Sequence, residues 1–149
     1  MLTLRPSDEA DLGRVVAIEA AADTAEWLGE TGRDWHDRAR SDPDQEHLVA
    51  ELDDAIVGFA VIAGLRTADR VIELRRMVVR PELRGRGLGR SLLRSTTHRA
   101  YAQHGASRIW LDVKPENRRA RALYESEGLV PTTTAEEADS ALIVMVHHK

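Results

Sequence analysis

The 149-residue chain contains no cysteine, which excludes a disulfide framework, a zinc–thiolate site and a cysteine nucleophile. It also lacks a long hydrophobic run. The longest, Ala55 to Leu65, falls short of the roughly 20 apolar residues that a membrane-spanning helix needs. The first residues, Met-Leu-Thr-Leu-Arg-Pro, carry no apolar signal-peptide core. A cytoplasmic protein without a membrane partner is therefore expected. Two phosphate-binding patterns are missing as well. The fingerprint G-x-G-x-x-G would need glycine where Arg90 stands, and a P-loop would need a lysine that the chain does not supply there.

What is present is a globular balance, 42% apolar and 31% charged, with no linker, repeat or low-complexity stretch; one domain over residues 1–149 is expected. The net charge of −4 hides an uneven distribution: residues 1–69 sum to −10, whereas Arg75 to Arg94 sum to +6. A nucleic-acid binder would normally show a broad basic face. The pattern predicts instead one local anion site beside an acidic region, and no nucleic-acid partner.

Alternation and helical spacing give the order of elements. Leu2 to Leu4 reads as a strand ended by Pro6, and Ser7 or Asp8 can cap a helix carrying Leu12, Val15, Val16 and Ile18 on one face. A second helical region, Thr24 to Arg40, is interrupted near Gly29 and Gly32. Strands are expected over Glu46–Leu52 and Ala55–Leu65, around an Asp53-Asp54 turn, and again over Arg70–Arg80. Helical spacing returns from Gly87 to His104, ahead of Gly105; a strand at Ile109–Val113, a helix at Arg118–Glu127 closed by Gly128 and a strand at Ala141–Val146 complete the chain. The fold class is mixed α/β, of the α+β kind.

The arginine–glycine stretch, Arg84-Gly85-Arg86-Gly87-Leu88-Gly89-Arg90, thus joins a strand to a helix. The first N–H groups of a helix have no partner inside it, and with the positive end of the helix dipole they form an anion site. Glycine lets the backbone turn sharply and approach a ligand closely. A second motif follows: Asn117-x-x-Ala120-x-x-Leu123-Tyr124-x-x-x-Gly128-Leu129. Asn117 and Tyr124 lie seven residues apart, almost two helical turns, and so share a face. Read alone, Asn117 is a helix cap and Tyr124 a packing residue.

Together the two motifs resemble those of the GNAT superfamily of acyl-CoA-dependent N-acetyltransferases, and the element order agrees over nearly the whole chain. The resemblance implies a mixed, mostly antiparallel sheet of about six or seven strands with about four helices. It further implies acetyl-CoA as co-substrate, with its pyrophosphate at Arg84, Gly85, Arg86, Gly87, Leu88, Gly89 and Arg90, and its pantetheine arm along Met77, Val78, Val79 and Asn117. Tyr124 is then the acid that protonates the leaving thiolate. Trp110-Leu111-Asp112-Val113 is also similar to the corresponding stretch of ribosomal-protein alanine acetyltransferases.

Glu73 carries two readings. A carboxylate in a buried strand is costly unless paired or functional: it either pairs with a nearby arginine such as Arg75, or takes the proton of the acceptor amine, as the resemblance implies. Trp27 and Trp35 lie among the acidic residues of the acceptor-side segment and can hold a cation; the competing reading makes them core. The expected acceptor is a cationic small-molecule or peptide amine. No metal site is expected, and His36 and His47 are read as surface or packing residues. The resemblance leaves room for a homodimer. The other function classes are a non-catalytic acyl-CoA sensor of the same fold and a nucleotide-binding module.

Overall fold

The computed structural model describes residues 2–21, 28–83, 85–132 and 142–148. Trp27 and Arg84 lie outside the described residues, as does the first part of the expected second helix.

β1 (Thr3–Pro6) leads through a 3₁₀ turn at Glu9–Asp11 into α1 (Leu12–Ala20). Asp8 caps this entry, its partner Asp11 accepting from the Asp8 N–H at 2.8 Å. α2 (Arg33–Ser41) starts immediately after Gly32, whose φ of 103° only glycine adopts readily. β2 (Gln45–Leu52) and β3 (Ala55–Ala63) form a hairpin. Its two connecting residues, Asp53 and Asp54, both have positive φ, 51° and 65°, the geometry that matches the twist of paired strands. β4 (Val71–Val79), α3 (Leu88–His104), β5 (Arg108–Val113), α4 (Arg118–Ser126), β6 (Val130–Pro131) and β7 (Ile143–His148) follow. The last strand begins two residues later than alternation suggested.

The seven strands form one sheet in the order β1-β2-β3-β4-β5-β7-β6. Only β4 and β5 are parallel, because the chain between them crosses over through α3. α1 and α2 cover one face, where Val15, Ile18 and Ala39 pack on Val49, Phe59, Val61 and Val78. α3 and α4 cover the other, with Leu93, Ala100 and partly buried Leu123 against Ile62, Ile72, Leu74, Ile109 and Leu111. No described helix is long and apolar enough to cross a membrane.

Two irregularities in β4 shape the molecule. Its pairing with β5 stops after Val71↔Arg108, Ile72↔Ile109 and Glu73↔Trp110, so the two strands part in mid-sheet. Against β3, Val61 faces Arg76 and Ile62 faces Leu74, leaving Arg75 as an extra residue in a bulge. The bulge reverses the alternation. Ile72 and Leu74 point toward α3, and beyond it Met77 and Val79 do so, while Arg76 and Val78 point toward α1 and α2.

Candidate active site

At the start of α3, Gly85 and Gly87 have φ of 82° and 76°. Gly87 is the residue before the first helical turn, and its carbonyl accepts the first helical bond from Ser91 N at 3.0 Å. The first turn holds no acidic side chain, so nothing there quenches its N–H groups. A Cβ on Gly85 or Gly87 would meet no atom of the described residues within 4 Å; the loop is an open cradle rather than a packed one. Gly89 serves a different end, since a Cβ there would lie 3.7 Å from Leu123 Cδ2, where α3 approaches α4.

The arginines of the loop divide by role. Arg86 is exposed. Arg90 donates to Ser126 Oγ at 2.9 Å and to Glu127, which also receives Arg94. Its guanidinium therefore ties α3 to the end of α4, a use that sequence reading missed. These contacts hold the Glu127 carboxyl below its usual range, the hydrogen bond from Arg94 being the largest cause.

From the cradle a cleft of about 580 Å³ runs along Met77, Val78 and Val79 and between the parted strands. Asn117 with Leu123 and Tyr124 of α4, Arg75 and Arg76 of β4, and Leu28 and Leu142 complete the lining. Of the cofactor-binding candidates among the described residues, Arg86 alone is not in the lining. The sheet supplies backbone here because β4 has lost its neighbour.

Asn117 caps α4, its Oδ1 accepting from Ala120 N at 3.3 Å, so the plain capping role is real and coexists with its place in the cleft. The Tyr124 hydroxyl has no hydrogen-bond partner among the described residues. Burial, with the nearby negative charge of Asp112, pushes it up to about 12, so it carries its proton throughout the neutral range. Asp112 itself escaped sequence reading. The signal was the alternation of β5, in which Ile109, Leu111 and Val113 are buried and Asp112 is exposed on the other face, the face that Glu73 shares.

Glu73 is not part of the cleft lining. Arg75 Nε and a terminal guanidinium nitrogen donate to its Oε1 at 3.0 and 2.7 Å, so the arginine pairing weighed from sequence is formed. Trp35 lies outside the lining too. The Arg76 guanidinium carbon sits 3.7 Å from its ring centroid, so that face already holds a cation belonging to the protein. His36 meets the ring edge-on.

Behind Arg76 runs a buried polar chain. Arg76 donates to Glu19 Oε2 at 2.9 Å, the same oxygen lies 3.1 Å from His36 Nε2, His36 Nδ1 lies 2.8 Å from His47 Nε2, and His47 Nδ1 lies 2.8 Å from Ser7 Oγ. Sequence reading treated His36 and His47 as unconnected surface or packing residues. They are buried partners instead, brought together because α2 lies across β2, and such long-range pairing has no sequence spacing to betray it. One proton per ring satisfies every member: Ser7 O–H to His47, His47 to His36, His36 to Glu19. Burial lowers His47 to about 4. For Glu19 burial opposes ionisation, but donation from His36 and Gly32 N–H outweighs it and holds the carboxyl low. No group of three or more metal-ligating side chains occurs among the described residues.

The arrangement of cradle, parted strands and α4 tyrosine agrees with sequence comparison: the pattern of the acetyltransferase (GNAT) family matches residues 12–129. The chain belongs to the GNAT family. Among its relatives, an uncharacterized N-acetyltransferase of Mycobacterium tuberculosis is 35% identical over 88 residues, 59% of this chain and 54% of that protein. The GNAT chain thus spans about half the length of these mycobacterial relatives. A putative ribosomal protein bS18-alanine N-acetyltransferase of Bacillus subtilis is 28% identical over 121 residues, covering 81% of this chain and 76% of the relative. Spermidine N-acetyltransferase of Vibrio cholerae, solved with CoA and spermine, superimposes with a TM-score of 0.80 at 21% identity over 97% of this chain and 92% of that one. At that identity the likeness concerns the fold.

Proposed function

We propose that this GNAT chain transfers the acetyl group of acetyl-CoA to a primary amine by direct attack, with both substrates in the cleft. The observation that carries the reading is the continuous path from an open, glycine-lined helix N-terminus, through a gap between parallel strands, to a tyrosine hydroxyl without a hydrogen-bond partner among the described residues. A pyrophosphate suits the cradle: Gly87 leaves space where a side chain would stand, and the α3 N–H groups face it with a favourable dipole. The pantetheine arm then follows Met77 to Val79 and Asn117. Bound acetyl-CoA supplies an acyl group on a good leaving thiolate.

The residues of this chain do the rest. Main-chain N–H groups of β4, released by the parting from β5, stabilise the oxygen on which negative charge develops. Tyr124, protonated at working pH, gives its proton to the departing sulfur. Glu73, through water, accepts the proton that the amine must lose; Arg75 orients it. Asp112 is the second carboxylate on that face. The acidic excess of residues 1–69, net −10, raises the local concentration of protonated amines. Homodimerisation, an acceptor of small-molecule or peptide type, and the confinement of function to one domain belong to the same proposal. Release of free thiol from acetyl-CoA, followed across a panel of amines, tests it. Tight binding without thiol release from any acceptor would favour the sensor.

A further inference from the structure

Arg76 is buried to 8% exposure and lines the cleft. A guanidinium has five N–H donors. This one makes a single hydrogen bond, to Glu19 Oε2, and covers Trp35 with its face. Its Nε and second terminal nitrogen bond to nothing among the described residues, yet neither is sealed from solvent. The open space beside the residue is the cleft. Glu19 offsets the charge but engages only one of its nitrogens, the carboxylate also accepting from His36 and the Gly32 N–H. Burial pulls the guanidinium below its ordinary value despite the pairing. Glu30, the other acid that acts on Arg76 among the described residues, is bonded to Arg38.

A buried, rigidly held arginine fork with spare donors is matched by a planar oxyanion, which can accept two parallel N–H bonds. The pyrophosphate does not answer the need, since its cradle is built by Gly85 to Arg90 at the start of α3, whereas Arg76 points toward α1 and α2. We propose that Arg76 is the acceptor anchor and that the acceptor carries a carboxylate near its reacting amine, as an amino acid does. This rests on the acetyl-transfer reading and narrows it. The acidic excess of residues 1–69 then attracts the ammonium, and the fork fixes the carboxylate, so a zwitterion satisfies both needs of the site. The chain Ser7–His47–His36–Glu19 serves to aim the fork: it locks the Glu19 oxygen on which Arg76 rests.

The test uses matched trios: a common amino acid, its carboxamide and its decarboxylated amine. With acetyl-CoA, kcat/KM should favour the acid over the amine by roughly 10- to 100-fold, the worth of a charge-assisted pair. The Arg76→Lys variant keeps a charge for Glu19 but loses the fork, and the preference should collapse through KM with kcat nearly kept. The double variant Glu19→Gln with Arg76→Gln removes both buried charges together, guarding against misfolding, and should show no preference. Binding gives a second readout independent of turnover. In calorimetry on CoA-saturated protein, N-acetylated amino acids should bind at least tenfold more tightly than their amides. Equal binding of acids and amides, or polyamines preferred over amino acids, would overturn the anchor. Absence of thiol release with every amine, while acids still bind selectively, would instead fault the acetyl-transfer reading and leave the anchor standing.

Discussion

His36 and His47 meet nitrogen to nitrogen at 2.8 Å beneath the sheet, His36 wholly buried and His47 nearly so. Neither ring can gain a second proton without placing charge in the interior.

Stability should therefore fall on the acid side of neutrality. His47 is lowered to about 4 from an ordinary 6.5. Between those values the unfolded chain binds a proton that the folded one refuses, so the contribution is complete above pH 6.5 and is lost as pH falls toward 4. The shift corresponds to about 3 kcal/mol, or on the order of 10 °C in Tm. Thermal melts at intervals from pH 7.5 to 4.5 measure it, and a His47→Gln variant should flatten the profile over that window even as its stability at neutral pH drops.

Gly87→Val should abolish tight coenzyme A binding. The branched side chain would project into the cradle, where no protein atom lies within 4 Å, and φ of 76° disfavours it by about 1–2 kcal/mol. Calorimetry should show at least a tenfold weaker Kd, with circular dichroism unchanged. An unaltered Kd would remove the cradle from the cofactor site.

Tyr124→Phe keeps the ring and loses the proton. Coenzyme A affinity should persist while kcat falls about 100-fold, the usual effect of losing a general acid. Since Tyr124 ionises only at about 12, an alkaline limb in the wild-type rate below pH 10 must come from another group and should survive in the variant.

Glu73→Gln should lower the rate most at the acid end, where more of the amine is protonated and needs a base. The expected deficit is about tenfold at pH 6.5 and shrinks by pH 9. If the rate at every pH equals that of the wild type, the carboxylate serves only Arg75, and Asp112→Asn becomes the variant to measure.

Gly58→Ala should destabilise the protein and press on backbone that lines the cleft. The new Cβ would stand 2.6 Å from the Val78 carbonyl oxygen, inside van der Waals contact and against backbone that cannot step aside. Overpacking of this kind costs about 1–3 kcal/mol, and a denaturant midpoint compared with wild type reads it directly.

These expectations differ in how visible their basis was before folding. The hairpin at Asp53-Asp54, the cap at Asn117 and the glycine-opened α3 rest on neighbours in sequence, and alternation and turn chemistry reveal such local features. Glu73 was readable only as a pair of alternatives, because its choice of partner depends on a bulge. The bulge at Arg75 leaves no mark in composition, yet it sets the direction of Arg76. Likewise, the ladder from Ser7 to Arg76 draws on the residue after β1 and on β2, α1, α2 and β4, so no window of sequence contains it. Trp35 shows the converse. Its acidic neighbourhood was plain, but the cation on its ring came from a strand about forty residues away.

The extra residue at Arg75 works as a half-period delay in the strand. Everything upstream keeps one phase, everything downstream the opposite one, and the functional positions lie on both sides of the step. Straightening the strand over the same residues would leave composition, charge and motif spacing untouched. It would nonetheless turn Met77 toward the helices that now receive Arg76, and set a guanidinium among the aliphatic side chains beneath α3. Losing Arg75 together with the bulge would instead keep both directions, because Val61↔Arg76 and Ile62↔Leu74 would become consecutive pairs. The site is thus protected by no single residue's chemistry but by the match between a count and a bend.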